Sequence, residues 1–408
     1  MDLDAFTALL TPLGQRALAE AQELTAADPV AAATKLRKTY DAALTSAALT
    51  QAGLRERARA KFGEDAGRMY FTPHGLEQAT RTEVAEHRAR RIIAASPADG
   101  PRVVDACCGI GGDFLALARA GCTVTAVDTD PLTVAVARAN AEALGLGTRI
   151  TVTVGDAASI RPEEYDVLFA DPARRTSRGR TFDPMAYSPP WPVVLDLLSG
   201  ARRACLKVAP GIPYEFIPEG AETEWVSFKG EVKEATLWNW PKTDQKADQE
   251  GGRSGGQEGG GRRATLLPGG HTLTATGAQA PVGPVGRYLF EPDGAAIRAH
   301  LVGEVAEMVD GRLPDPMIAY ITGDDPIETP WAARYEIAEV LPFSLKRLRA
   351  ELRRRQIGNV TIKKRGSAID IERLRTDLRL NGDKSAVIIL TRIIDKPSVL
   401  ICNTPPPA

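Results

Sequence analysis

The stretch Val103-Val104-Asp105-Ala106-Cys107-Cys108-Gly109-Ile110-Gly111-Gly112-Asp113 decides the fold. An apolar run closes on an acidic residue, and glycines then lead into the helical pattern DFLALARAG. That order predicts a buried strand, a tight turn and a helix. Glycine admits close backbone approach, and a helix start presents amide N–H groups to a polar ligand. Taken alone, the turn also suits a dinucleotide site or a structural corner. The flanking sequence supplies the context. CTVTAVDTD predicts a second strand and PLTVAVARANAEALG a second helix, while RITVTVGDA, EYDVLFADPA and ARRACLKVAP add three more strands. Strands and helices alternating in this way predict an α/β domain with a mostly parallel sheet covered on both faces. AETEWVSFKG and EVKEATLWNW read as its antiparallel edge.

Four carboxylates fall at one edge of these strands. Asp105 ends the first, and Asp128, followed by Thr129, ends the second. Gly155-Asp156-Ala157 follows the third, and Asp171-Pro172-Ala173-Arg174 follows the fourth. Each acid by itself is accounted for as a cap or turn residue. Together they lie where open α/β sheets place their ligands, with about 20–30 residues between the first two, which favours a nucleoside-cofactor pocket.

The chain has 408 residues, of which 43% are apolar and 25% charged, ordinary for a folded protein with more than one core. No run approaches the ~20 apolar residues of a membrane span. The N-terminal MDLDAFTALLTPLG lacks the basic-then-apolar order of a secretory signal. The five cysteines form neither a disulfide framework nor a zinc spacing, and they point to a reducing cytoplasm. The four histidines are scattered and predict no metal site. From Leu341 onward there are 15 Lys and Arg against 6 Asp and Glu, a balance of +9 that leaves -10 for the rest of a chain whose net charge is -1. A basic end on a near-neutral protein suits a polyanion partner.

Three domains are expected. Residues 1–98 read as a helical N-terminal domain, with Asp28 capping and Pro29 opening one helix. Residues 99–277 form the α/β domain, interrupted by the glycine-rich, nearly apolar-free insertion 241–262 and closed by the hairpin RATLLPGGHTLTATG. Residues 286–408 form a second α/β unit. It has a helix over Ala295–Met308, a basic helix SLKRLRAELRRRQIG capped by Ser344 and ended by Gly358, the strand NVTIKKRG, the helix DIERLRTDLRL and a final strand pair. The cations of the basic helix, the turn Lys363-Lys364-Arg365-Gly366 and Arg373, Arg375 and Arg379 are positioned to track phosphates, without aromatic residues between them for stacking on single strands.

The central region resembles the class I S-adenosylmethionine-dependent methyltransferases, with their Rossmann-like, mostly parallel seven-stranded sheet. It differs from the dinucleotide fingerprint because Asp105 precedes the glycines. The resemblance implies S-adenosyl-L-methionine as cofactor. It assigns Asp105, Cys107, Gly109 and Gly111 to the methionine end, Asp128 and Thr129 to the ribose, and Asp156 and Ala157 to the adenine, with Asp171 bordering the pocket. Phe71 and Thr72, within Tyr70-Phe71-Thr72-Pro73, look like the segment that folds over the cofactor. Asp171-Pro172-Ala173-Arg174 resembles the Asp/Asn-Pro-Pro-aromatic motif of enzymes that methylate base amines, which implies catalytic roles for Asp171, Pro172 and Arg174. Ala173 and Arg174 depart from that motif and leave the acceptor atom open. Arg174, Arg175 and Arg178 either hold substrate phosphates or pair with the acidic remainder of the chain. Ser188-Pro189-Pro190-Trp191 resembles the motif of cap guanine-N2 methyltransferases, so Trp191 either stacks on a base or packs at a helix start. Cys107, Cys108 and Cys205 read as small buried residues, which argues against a covalent thiolate mechanism.

The C-terminal unit resembles a THUMP-like domain, which implies RNA contacts at Lys363, Lys364 and Arg365. The expected activity is methyl transfer to a base of structured RNA, tRNA or rRNA, with no membrane or metal involved. A methyltransferase with another substrate, or a non-catalytic RNA-binding protein that keeps the fold, are the competing readings.

Overall fold

The computed structural model describes residues 1–24, 28–96, 100–173, 175–176, 179–180, 183–240 and 261–404, with the backbone alone at 175–176 and 179–180. Arg174, Arg178, the side chain of Arg175 and residues 241–260 of the expected insertion lie outside the described residues. Two compact units emerge, Met1–Glu222 with Glu234–Gly251, and Thr223–Lys233 with Gly252–Ala408.

The first unit begins with six helices: α1 Leu3–Leu10, α2 Pro12–Glu23, α3 Pro29–Leu36, α4 Ala42–Phe62, α5 Pro73–Gln78 and α6 Thr82–Ala94. Five start on a side-chain cap, at Asp2, Thr11, Asp28, Asp41 and Thr72, and three of those carry proline in the first turn. The strands follow as β1 Arg102–Asp105, β2 Thr123–Asp128, β3 Ile150–Val154, β4 Val167–Ala170 and β5 Ala204–Val208, connected through α7 Phe114–Arg119, α8 Pro131–Ala143 and α9 Trp191–Gly200. Two longer strands come next, β6 Glu222–Phe228 and β7 Glu231–Asn239, and the division between the units falls at β6 and within β7. Within the first unit the order is β7-β5-β4-β1-β2-β3, all parallel except β7. The chain grows outward from β1 in one direction through β2 and β3, then returns to β1's other side with β4. That reversal opens a crevice beyond the carboxyl ends of β1 and β4, which is where Asp105 and Asp171 sit.

The helices of residues 1–98 do not close a core of their own. Phe6, Leu18, Phe62 and Phe71 belong to the same apolar cluster as Val103, Phe114, Val152 and Trp238. The expected separate helical domain is therefore the helical part of one unit with the sheet. Two buried amides bind it there. Gln51 of α4 donates to the Phe71 carbonyl at 2.5 Å and accepts from the Phe71 N–H at 3.0 Å. Asn140 of α8, fully buried, accepts from the Tyr70 N–H at 2.6 Å and donates to the carbonyls of Tyr70 at 3.0 Å and Ile110 at 2.9 Å. The segment around residue 70 is thus tied to the glycine turn through Asn140, and at Gly75 a Cβ would meet Ile110 at 2.5 Å.

In the second unit β6 pairs parallel with β8 Arg262–Leu267, which pairs antiparallel with β9 His271–Thr274. The expected hairpin is present, but in this unit rather than in the domain over 99–277. A second sheet comprises β10 Tyr288–Pro292, β11 Ile321–Gly323, β12 Ala332–Pro342, β13 Ile357–Lys364, β14 Lys384–Ile393 and β15 Lys396–Cys402, in the order β11-β10-β12-β15-β14-β13. The helix expected over Ala295–Met308 divides into α10 Gly294–Arg298 and α11 Val302–Met308, because His300 takes φ 55° between them. α12 Leu345–Arg354, capped by Ser344, and α13 Ile371–Leu378 bury Leu348, Leu352, Leu374 and Leu378 against Val360, Ile388, Leu390 and Ile401. Gly358 does not end α12. The chain leaves the helix through Gln356 at φ 59°, and Gly358 lies in β13, where a Cβ would come within 1.9 Å of the Gly382 carbonyl oxygen. No helix among the described residues is long and apolar enough to cross a membrane.

Replacing Asn140 by leucine leaves one buried N–H and two carbonyls unpaired, which should cost about 2–4 kcal/mol. Urea unfolding measures it, and a loss below ~0.5 kcal/mol, the size of an ordinary surface change, would remove the amide clamp from the account.

Candidate cofactor and transfer site

β1 delivers Asp105 to the crevice with 1% of its surface exposed, and neither carboxylate oxygen has a hydrogen-bond partner. Burial, and after it the charge of Asp171, pushes its pKa up to about 8. An acid left in this state suits a cationic ligand that supplies the missing N–H donors. The turn beyond it is open. Gly109 takes φ 52° and a Cβ there would meet nothing within 4 Å, whereas at Gly111, φ 108°, it would strike the Phe114 ring at 2.6 Å. Cys107 is half-buried beside this turn. Burial and the neighbouring carboxylates hold its thiol and that of Cys108 well above the usual range, which disfavours a thiolate nucleophile.

Asp128 ends β2 and bridges two loops, accepting from the Gly109 N–H at 3.1 Å and the Asp130 N–H at 3.0 Å. Burial raises its pKa, and the two amide bonds partly offset the rise. Thr129 and Asp156 are exposed and Ala157 is buried, with Asp156 accepting from the Ala158 N–H at 2.9 Å as the cap of a short turn. These residues share one sheet edge, as the sequence predicted.

Two expected contacts are placed otherwise. The Phe71 side chain is fully buried, its ring 5.5 Å from that of Phe62, so it belongs to the core and not to a cofactor face. Thr72 spends its hydroxyl on the Gly75 N–H at 2.9 Å as the cap of α5. Trp191 is also buried, edge-on to Tyr187 at 6.3 Å and to Phe216 at 6.1 Å. Of its two sequence readings, the structure shows the packing one, with Trp191 as the first residue of α9. The Ser188 segment nevertheless adjoins the motif: Ala173 and Ser188 form an isolated bridge and exchange both backbone hydrogen bonds, at 2.8 and 3.0 Å.

Asp171 is one-fifth exposed and its Oδ2 accepts from Lys207 Nζ at 2.5 Å. Sequence reasoning missed Lys207 and the side chains behind it. Lys207 Nζ also donates to Thr80 Oγ1 at 2.8 Å, and Thr80 donates to Asp113 Oδ2 at 2.6 Å. Asp113 pairs with Arg88, which pairs in turn with Glu234. The available signal was a charge in an apolar pattern: Lys207 inside ACLKV, and Arg88 on the face shared with Val84, Ala85 and Ile92. Among the described residues no three His, Cys, Asp or Glu side chains gather as a metal site.

Known proteins place this geometry. Residues 100–194 match the family described as RNA cap guanine-N2 methyltransferase, residues 332–404 a THUMP domain-like family, and residues 2–58 a domain of unknown function. Two Mycobacterium tuberculosis proteins, from strains CDC 1551 and H37Rv, are described as uncharacterized S-adenosylmethionine-dependent methyltransferases. Each is 36% identical over 355 residues, covering 83% of this chain and 90% of its own length. The chain belongs to the S-adenosylmethionine-dependent methyltransferases. A putative methyltransferase from Porphyromonas gingivalis W83, known from a crystal structure, shares the fold at a TM-score of 0.73. It is 21% identical, and the match covers 95% of this chain and 98% of that one.

S-adenosylmethionine is the cofactor of this methyltransferase, and the site fits it: the unpaired Asp105 carboxylate suits the ammonium of the methionine moiety and the open Gly109 turn admits it. When bound, the cofactor supplies a methyl group on a sulfonium centre.

Asp105 also makes a pH prediction. Its folded pKa lies above the unfolded value of about 4, so folding takes up a proton between these limits and stability falls as pH rises toward 8. Asp105→Asn should therefore be more stable than the parent without cofactor, by on the order of 1–3 kcal/mol at pH 8 and by little at pH 4. The same substitution should abolish cofactor binding in calorimetry. Parallel stability–pH curves for the two proteins would contradict the burial argument.

Proposed function

We propose that this methyltransferase modifies a base in structured RNA, a tRNA or rRNA, with Asp171 and the Pro172 carbonyl receiving the acceptor. The observation that carries the reading is Asp171 itself. It stands at the carboxyl end of β4, across the switch point from Asp105, with one edge open to solvent. The family description over residues 100–194 supports a base as acceptor, and the THUMP domain-like match over 332–404 supports an RNA partner.

The cations offered to that partner differ from those first expected. Lys363 Nζ lies 2.5 Å from Glu291 Oε2 and 5.6 Å from the centre of the Tyr335 ring. Arg365 donates to the Ala319 carbonyl at 2.6 Å and stacks on Tyr320. Lys364, though exposed, donates to the Ile369 carbonyl at 3.0 Å. The helices give a more accessible set. Lys346, Arg347 and Arg353 on α12, and Arg373 and Arg379 on and just after α13, are exposed, while the same helices bury their leucines in one core.

Transfer of label from tritiated S-adenosylmethionine into separated tRNA, rRNA, DNA and protein pools tests the reading. Counts should enter one RNA pool and vanish in Asp171→Ala, whose cofactor affinity stays near that of the parent. Labelling confined to protein or DNA would overturn it. For the partner surface, the triple variant Arg347→Glu, Arg353→Glu, Arg373→Glu should weaken binding to that RNA and flatten its salt dependence, by up to ~0.9 in log–log slope per lost phosphate contact. Lys363→Met should leave the slope nearly unchanged, and the reverse pattern would return the contact to the Lys363 turn.

A further inference from the structure

Lys207 is the only charged residue in the five-residue strand β5, and its side chain is 5% exposed. An ammonium in such a place is costly unless it is paired with a carboxylate and hydrogen-bonded. Two acceptors are fixed here. Thr80 Oγ1 takes one N–H at 2.8 Å, and because the Thr80 hydroxyl proton then points to Asp113 Oδ2 at 2.6 Å, the direction of both bonds is determined. Asp171 Oδ2 takes another at 2.5 Å. Asp171 Oδ1 has no hydrogen-bond partner among the described residues. The strand and the Thr80–Asp113–Arg88 chain hold Lys207 from behind, so the rotamer of Asp171 is set by a rigid group beneath it rather than by solvent.

We propose that Lys207 is the positioning residue of the transfer site and sets its substrate class. It occupies one oxygen of Asp171 and neutralises its charge, so the acceptor meets a single fixed oxygen on an ion pair of zero net charge. Such a site takes a neutral N–H donor, the exocyclic amine or ring amide of a base, and gives no bidentate seat to a cation such as a guanidinium. This rests on the reading of Asp171 as the acceptor-binding group.

The test uses the full chain with Lys207→Ala and the volume-preserving Lys207→Met, each checked for thermal unfolding and for affinity to S-adenosylhomocysteine. Crystal structures of parent and variants with S-adenosylhomocysteine read the position of Asp171 without any substrate. Asp171 should keep one orientation in the parent, lose it in both variants, and regain it in Lys207→Ala soaked with ethylammonium. Transfer to the labelled RNA pool should fall about 10–100-fold in kcat, the usual cost of a misplaced contact, with the KM for cofactor nearly constant. Ethylammonium should restore part of that loss saturably, and ethanol should not. Adding Lys207→Met to Asp171→Asn should cost little further, because the lysine acts through the carboxylate. An Asp171 that stays in place in both variants, a loss rescued equally by ethanol, or fully additive losses would each overturn the proposal. If the parent labels no RNA while Asp171 moves as expected, the positioning role stands and the RNA reading falls.

Discussion

Burying two cations beside the crevice constrains everything built above them. Arg88 and Lys207 both lie inside the first unit, and either one alone would cost several kcal/mol to desolvate. The fold meets that cost by linking them through one chain of acceptors: Glu234 and Asp113 on Arg88, then Thr80, then Lys207, then Asp171. Removing one member of such a chain typically costs about 3–5 kcal/mol because its partner is left charged and unpaired. The acid at the end of β4 is therefore held by α6, the segment before it, the helix start after the glycine turn and β7 together. Asp105 is the contrast. Equally buried, it is left out of the chain, and its unmet hydrogen-bonding capacity is what suits it to a cationic ligand.

Much of the first unit was legible because its signals are local. Strands that end in Asp105 and Asp128 or just before Asp171, glycines in a turn and proline at helix starts each follow from short-range chemistry. What was hidden depends on partners far away in the chain. Phe71 looked like a cofactor contact because its neighbourhood is right; only the ring of Phe62 shows that its side chain faces the core. Trp191 looked available for the same reason, until Tyr187 and Phe216 covered it. Lys207 and Arg88 carried a readable anomaly, a charge within an apolar pattern, but their partners lie 36 residues away at Asp171 and 146 away at Glu234.

The second unit shows the same limit in reverse. A run of cations is easy to see in a sequence, and its net charge predicts a polyanion surface. Which of those charges are spent internally is a matter of packing. Glu291 and the rings of Tyr335 and Tyr320 absorb the Lys363–Arg365 turn, leaving the outward faces of the two helices as the exposed basic surface. Gly358 likewise serves a close backbone approach, to Gly382, that no local helix signal reveals.

The two amides Gln51 and Asn140 have a consequence for how such an enzyme can be rearranged. They join three pieces of chain, one from α4, one around Tyr70 and one from α8, through backbone groups that any residue but proline would present. Recognition of main chain makes the joint indifferent to the side chains at residues 70 and 71, while geometry makes it intolerant of a shift in any of the three pieces. Exchange of the helical segment between two related chains would thus succeed only when both amides travel with, or already exist in, the recipient. The helices and the sheet therefore behave as one block, and a change on either side of the joint has to keep both amides in register.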